Sequence, residues 1–178
     1  MDVLFSNALQ GWGNFYFMMG GASAGLMGLM FVALSLGTHL VNDETLSSFP
    51  TFVTPNIIYF VSVLLIAALM LVPDSTAVGT GLFLLGGGAL GLIRASRLAR
   101  RLIRMNNEQQ IFNRWQRLWL IISPITGYIL IPIAGLGFLG GQWALAFLGI
   151  WLASVLLMLC AIANTWSLML WIIEQGKR

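Results

Sequence analysis

Long uncharged apolar runs, separated by short polar breaks, dominate the chain. Five of these runs approach the length of about 20 residues that an α-helix needs to cross the hydrocarbon core of a bilayer. They extend over 15–37, 52–72, 77–93, 118–139 and 143–173. The pattern therefore predicts an all-α, polytopic membrane protein with five transmembrane helices, which form a single membrane domain over residues 1–178.

The composition agrees with this pattern. Hydrophobic residues make up 58% of the chain and charged residues 8%, whereas a soluble domain is roughly one quarter charged. The one cysteine, Cys160, lies inside an apolar run, so no intrachain disulfide is expected. No basic residue precedes the first run, which argues against a cleaved secretory signal.

All nine basic residues fall on one predicted side of the membrane. Seven arginines lie in 94–117, and Lys177 and Arg178 complete the set. Five spans place this loop and the C-terminus on the same side, and the turns on the opposite side contain no lysine or arginine. Because cytoplasmic loops are enriched in these residues, we predict that the N-terminus is outside and the C-terminus is cytoplasmic.

The arginines that follow the third run have helical spacing. At 100° per residue, Arg94, Arg97, Arg100, Arg101 and Arg104 share about one third of a helix circumference. We therefore predict that spans 3 and 4 extend into a short cytoplasmic helical hairpin over 94–117.

The turn of this hairpin is predicted at Asn106-Asn107, since asparagine favours turns. Its arginine stripe has three possible roles. A topology determinant is favoured. Binding of anionic lipid headgroups follows, through Arg94, Arg97, Arg101 and Arg104. A voltage sensor is the weakest, because the stripe lies outside the apolar run and no span holds an acidic partner.

Two runs contain glycines at helical spacing. The first has Gly21, Gly25 and Gly28, and the third has Gly87 and Gly91. Small residues four positions apart let helices approach closely in lipid. Packing of these spans within the chain is the favoured interpretation, and an interface of a homo-oligomer or a pore lining of exposed backbone is the alternative.

Polar side chains inside the runs are few. Tyr59 and Ser62 lie three positions apart and share one face of span 2, and Asn164 lies in span 5. Hydrogen bonds between helices are their ordinary use, and a narrow water-filled path is the minority interpretation. Pro124 and Pro132 predict a kinked fourth span.

Several classes of chemistry lack their residues. No Asp, Glu, Lys, Arg or His lies in any predicted span, whereas proton-coupled transporters place ionisable groups there. Metal-dependent proteolysis needs buried His or Glu ligands, and a phosphate-binding glycine loop with a following lysine is missing. The sequence thus predicts no enzyme, catalytic residue, cofactor, metal or nucleic-acid partner.

The stretch WGNFYFMMGGASAGLMGLMFVALSL, residues 12–36, resembles the first span of a group of small uncharacterised bacterial inner-membrane proteins. The group has a Gly/Ala-rich first helix that ends in a Phe-Val-Ala-Leu-Ser run, a proline before span 2 and a Val-Pro ending of that span. The likeness covers roughly the first 73 residues. It implies a multi-pass protein of a bacterial inner membrane, and it implies no activity and no functional residue.

Two functions fit these features. The first is a homo-oligomeric, channel-like protein for passive passage of a small ion or solute, favoured by the glycine faces and the lack of an energy-coupling residue. The alternative is a membrane scaffold or accessory subunit, with anionic lipid bound at the arginine stripe.

Overall fold

The computed structural model describes residues 2–37, 49–73, 75–109 and 114–175. These residues form five α-helices, which we number in chain order: α1 Asp2–Gly37, α2 Phe49–Met70, α3 Ala77–Gln109, α4 Arg114–Leu139 and α5 Trp143–Gln175. Each helix is long and apolar enough to cross a membrane. The prediction of an all-α protein with five candidate membrane spans is therefore confirmed.

Several helix bounds differ from the predicted ones, and two of these differences alter the predicted structure. Helix α1 begins at Asp2 rather than at residue 15, because Phe5 and Trp12 pack against aromatic rings of α4 and α5 and hold this polar-interrupted stretch in the bundle. Helix α3 is continuous to Gln109, so the predicted turn at Asn106-Asn107 is wrong. Residues 110–113, between α3 and α4, lie outside the described residues.

Helix α5 is the central helix of the bundle. It packs against α4, α2 and α1, while α1 also packs on α2 and α3 packs mainly on α4. Large side chains fill the space between the helices, among them Tyr16, Phe60, Leu84, Phe147 and Leu157. The outer faces are apolar, as a lipid-facing surface requires.

Two tryptophans of α5 contribute to that outer surface. Trp151 and Trp166 lie well inside the fifth apolar run, where a position on either face of the helix is possible, and they are 39% and 67% exposed. Depth along a span does not determine the face of the helix on which a residue lies.

Helices α3 and α4 cross at backbone contact. A Cβ atom on Gly81 would lie 2.9 Å from the Gly135 carbonyl oxygen, and one on Gly88 would lie 2.6 Å from Cδ of Pro132. Missing side chains therefore let the two helices approach as closely as small residues allow in lipid. Pro132 lies inside α4 without ending the helix.

A short turn joins α4 to α5. Gly141 has a φ of 74°, a left-handed conformation that glycine adopts without strain. The amide of Gln142 donates to the Gly137 carbonyl at 2.9 Å, and the Gly141 amide donates to the Phe138 carbonyl at 3.4 Å. This Schellman arrangement ends α4 and holds the start of α5 beside it.

Candidate functional site

A pair of hydroxyl groups lies between α2 and α4. Ser62 Oγ and Tyr128 OH are 2.8 Å apart, and Ser62 Oγ also donates to the carbonyl of Ile58 at 2.8 Å. A serine hydroxyl has only one hydrogen, so Tyr128 is the donor in the pair while Ser62 donates to Ile58. The pair therefore links two helices through an uncharged hydrogen bond.

Gly91 of α3 makes room for the Tyr128 ring. A Cβ atom on Gly91 would overlap the ring carbons Cδ1 and Cε1 of Tyr128, which is 2% exposed. Three helices thus meet at this tyrosine. Gly91 lies at an intrachain helix contact, in line with the favoured interpretation of the glycine pairs.

Further polar side chains of α4 and α5 meet at Cys160. Asn164 Nδ2 donates to the Cys160 sulfur at 3.7 Å, one turn away on α5. Ser123 of α4 donates to the Leu156 carbonyl at 3.5 Å and also faces the Cys160 thiol. These contacts add α5 to the helices that share the site.

Tyr59 completes the group. Its ring centroid lies 6.2 Å from that of Tyr128, and it is near enough to Cys160 for an electrostatic interaction. We call the whole group the polar cluster, and it consists of Tyr59, Ser62, Ser123, Tyr128, Cys160 and Asn164. Helices α2, α4 and α5 each contribute two of these uncharged hydrogen-bonding groups inside the apolar bundle.

Several other buried polar atoms have no hydrogen-bond partner among the described residues. They include the Tyr16 hydroxyl, the Thr80 and Ser154 hydroxyls, and both amide atoms of Asn56. An unpaired polar group in an apolar medium costs about 2–7 kcal/mol, depending on the reference state. Water or another small hydrogen-bonding molecule would relieve this cost, because buried waters serve such groups in proteins.

Aromatic rings close one end of the bundle. The Trp12 and Phe147 rings stack 6.0 Å apart at 8°, and Phe138 meets Phe147 edge-on at 5.0 Å. Phe5 meets Phe138 edge-on at 5.7 Å. This aromatic cap lies where α1 and α5 begin, at the end of the bundle opposite to the arginines of α3.

The predicted packing glycines of α1 make no packing contact with the described residues of the protomer. Among those residues, a Cβ atom on Gly21, Gly25 or Gly28 would have no neighbouring atom within 4 Å, and the same is true of Gly87 on α3. The intrachain interpretation is therefore wrong for these four glycines, because each lies on an outward face of its helix. An interface with a second copy remains a prediction for them.

A different face of α1 packs on α2. A Cβ atom on Gly20 would lie 3.1 Å from the Ala67 Cβ atom, and Ser23 Oγ donates to the Phe60 carbonyl at 2.6 Å. Gly20 directly precedes Gly21 in the sequence, so one position separates the buried face of the helix from the exposed one.

The described arginines of the stripe lie along α3. Arg94, Arg97 and Arg100 are exposed, and Arg100 Nε donates to the Ser96 carbonyl at 3.3 Å. The candidate span reaches Leu98, so the first two arginines lie in its last turns, from which long side chains reach the headgroup region. The side chains of Arg101 and Arg104, also predicted to bind headgroups, lie outside the described residues.

Comparison with protein families, with curated proteins and with solved structures finds no match to the chain. Within the described residues there is also no group of three or more His, Cys, Asp or Glu side chains that could hold a metal ion. The features of the described residues that bear on function are the polar cluster and the buried polar atoms without a hydrogen-bond partner among those residues.

Three residues of the polar cluster, Tyr59, Ser62 and Asn164, are predicted from the sequence as polar contact residues. The structure brings them together with Tyr128 and Cys160. The four-residue spacing of Cys160 and Asn164 on one helix was a usable signal for their contact. The link between Ser62 and Tyr128 had no such signal, because it depends on which spans are neighbours.

Proposed function

We propose that the protein is a non-catalytic, homo-oligomeric protein of a bacterial inner membrane that gives passive passage to a small ion or solute. The polar cluster carries this proposal. Its hydrogen-bonding side chains lie inside the bundle, where apolar side chains would pack without the free-energy cost of burying polar groups. Tyr59 is 3% exposed and Tyr128 2%, so neither hydroxyl group serves the outer surface.

The buried polar groups extend along the bundle. Trp12 of α1 stacks on Phe147 of α5, and the Met30 sulfur of α1 accepts a hydrogen bond from Thr165 of α5. In each pair the two residues are 135 positions apart in the sequence. Helices α1 and α5 therefore run parallel in a constant register. By that register Tyr16 is level with position 151 of α5. From this level to Asn164 there are 13 residues, or about 20 Å at 1.5 Å per residue.

This length is about two thirds of a hydrocarbon core of about 30 Å. Ser154, Cys160 and Asn164 lie within it on α5, and Tyr16 lies at its outer limit beside the aromatic cap. A small solute would therefore meet uncharged polar groups over most of the bundle, with aromatic rings as the remaining barrier.

The charges of the spans support a passive mechanism. In the five candidate spans the charged residues are Arg94 and Arg97, both near the end of the third. Arginine stays protonated at all relevant pH values, so neither residue supplies a proton relay. The exposed face of Gly21, Gly25 and Gly28 supports assembly of several copies, since small residues favour close helix association.

Flux measurements test the proposal. The purified protein is reconstituted into liposomes, and efflux of small ions and neutral solutes is compared with that of protein-free liposomes. We expect Tyr128→Phe, which removes one hydroxyl of the pair, to change the flux, whereas Ser96→Ala on the exposed part of α3 leaves it unchanged. Efflux equal to that of protein-free liposomes for every solute would refute passive passage.

A second candidate function is that of a membrane scaffold or accessory subunit that binds anionic lipid. The exposed Arg94, Arg97 and Arg100 on α3 favour it, because basic residues beside a membrane contribute about 1 kcal/mol each toward anionic lipid. This proposal includes the cytoplasmic location of the stripe and of the C-terminus. The scaffold function becomes the favoured one if no solute passes.

A further inference from the structure

Asn56 presents a buried side-chain amide. It lies on α2, directly after Pro55, and is 1% exposed. Neither Oδ1 nor Nδ2 has a hydrogen-bond partner among the described residues. One acceptor and two donor hydrogens are thus unused at a single position inside the bundle.

This amide lies at the junction of three helices. Gly20 adjoins Ala67, and Ser23 donates to the Phe60 carbonyl, so α1 and α2 are antiparallel. At Met30, further along α1, the level on α2 is therefore near Asn56. Met30 also accepts from Thr165 of α5. Helices α1, α2 and α5 all pack against one another, which places Asn56, Met30 and Thr165 at one level of the bundle.

The other polar side chains at this level are bonded only weakly. Thr165 Oγ1 reaches the Met30 sulfur at 3.8 Å, and the neighbouring Asn164 reaches the Cys160 sulfur at 3.7 Å. Thioether and thiol sulfurs are weak acceptors, so both donors would gain from an oxygen ligand. Together with Asn56 they offer several donors and one amide acceptor.

We propose that Asn56, Asn164 and Thr165 form a binding site for a small neutral molecule that has both a hydrogen-bond donor and an acceptor, with water as the smallest member and carboxamides as larger ones. An ion would have no counter-charge, because the candidate spans of α1, α2 and α5 contain no charged side chain and an unpaired charge is costly in this medium. The claim that such a molecule is the permeant rests on the proposed function. The claim that the site is occupied does not.

Radiolytic footprinting tests occupancy without any flux. Hydroxyl radicals made from bound water oxidise methionines beside it, and Met30 and Met70 are equally buried at 2% exposure. We expect Met30 to be oxidised at least fivefold faster than Met70 in the wild type, and Asn56→Leu to remove the difference. Equal oxidation of the two methionines in the wild type would overturn the site.

Folding of the variants is checked separately. Asn56→Leu removes an unpartnered amide, so its melting temperature should equal or exceed that of the wild type. Thr165→Val has nearly the same shape as the wild type and should lower Met30 oxidation by itself, which tests the site even if the leucine variant does not fold. Unchanged Met30 oxidation in both folded variants would refute the assignment.

Flux measurements with acetamide and with potassium distinguish occupancy of the site from passage through the bundle. In liposomes we expect acetamide permeability to fall at least tenfold in Asn56→Leu, and potassium flux to equal that of protein-free liposomes throughout. Potassium flux above that of acetamide would overturn the neutral class. Rapid Met30 oxidation without acetamide flux would support the site and refute passage of carboxamides through it.

Discussion

Replacing Gly88 with alanine should weaken the packing of α3 on α4, whereas the same change at the adjacent Gly87 should not. A Cβ atom at position 88 would lie 2.6 Å from Cδ and 2.9 Å from the backbone nitrogen of Pro132. At position 87 it would have no neighbour within 4 Å in the part of the chain that the structure describes. The two changes are chemically identical and differ only in the face of α3 on which they fall.

The magnitude follows from the overlap. Carbon atoms pack best at about 3.5–4.0 Å, so the new methyl group requires the two helices to separate locally by about 1 Å. The neighbour is a proline ring and its backbone, which cannot rotate away. Overpacking of this kind costs about 1–3 kcal/mol, and both variants gain up to about 1 kcal/mol from the higher helix propensity of alanine.

The assay is equilibrium unfolding in mixed micelles, followed by tryptophan fluorescence. The free energy of unfolding should differ by about 1–3 kcal/mol between the variants, with Gly88→Ala the less stable. Equal stabilities, or a larger loss for Gly87→Ala, would show that the register of α3 on α4 is different from the one described.

Four further predictions concern assembly, lipid, pH and orientation. Gly25→Leu should lower the mass of the assembly on size exclusion without lowering the melting temperature, and an unchanged mass would show that this face contacts lipid. Arg97→Gln combined with Arg101→Gln should reduce the stabilisation by phosphatidylglycerol, most clearly at low salt; equal stabilisation would limit the arginines to topology. Flux should be nearly constant from pH 5.5 to 8, since His39 is the only side chain whose ordinary pKa lies in that window; a steep dependence that persists in His39→Gln would contradict the passive mechanism. A cysteine at position 101, in a Cys160→Ala background, should resist impermeant thiol reagents in intact cells, and labelling there would reverse the proposed orientation.

The number and type of the helices could be predicted from sequence because run length and charge exclusion are properties of single spans. The start of α1 could not, since Asn7, Gln10 and Asn14 interrupt the apolar run and contacts of Phe5 and Trp12 with other helices hold that stretch in the bundle. The hydropathy of a segment indicates whether it can lie in the membrane. Tertiary packing decides how far the helix extends beyond that segment.

The candidate site was less predictable. Spacing showed that Tyr59 and Ser62 share a face, but it carried no information on the partner helix, which proved to be the one with Tyr128. The glycines show the same limit, because Gly87 and Gly91 have the spacing of a packing motif and only Gly91 meets another helix. Which face of a helix is buried depends on the order of the helices in space.

The central position of α5 has a consequence for biosynthesis. Until this helix has been synthesised, α1 packs mainly on α2, and α3 packs mainly on α4. In partly synthesised chains these two helical pairs would therefore be joined chiefly by contacts such as the Ser62–Tyr128 hydrogen bond, because Phe147, Leu157 and Thr165 are not yet present. The bundle closes late, and quality control that recognises unpaired membrane helices would act on this protein during that interval.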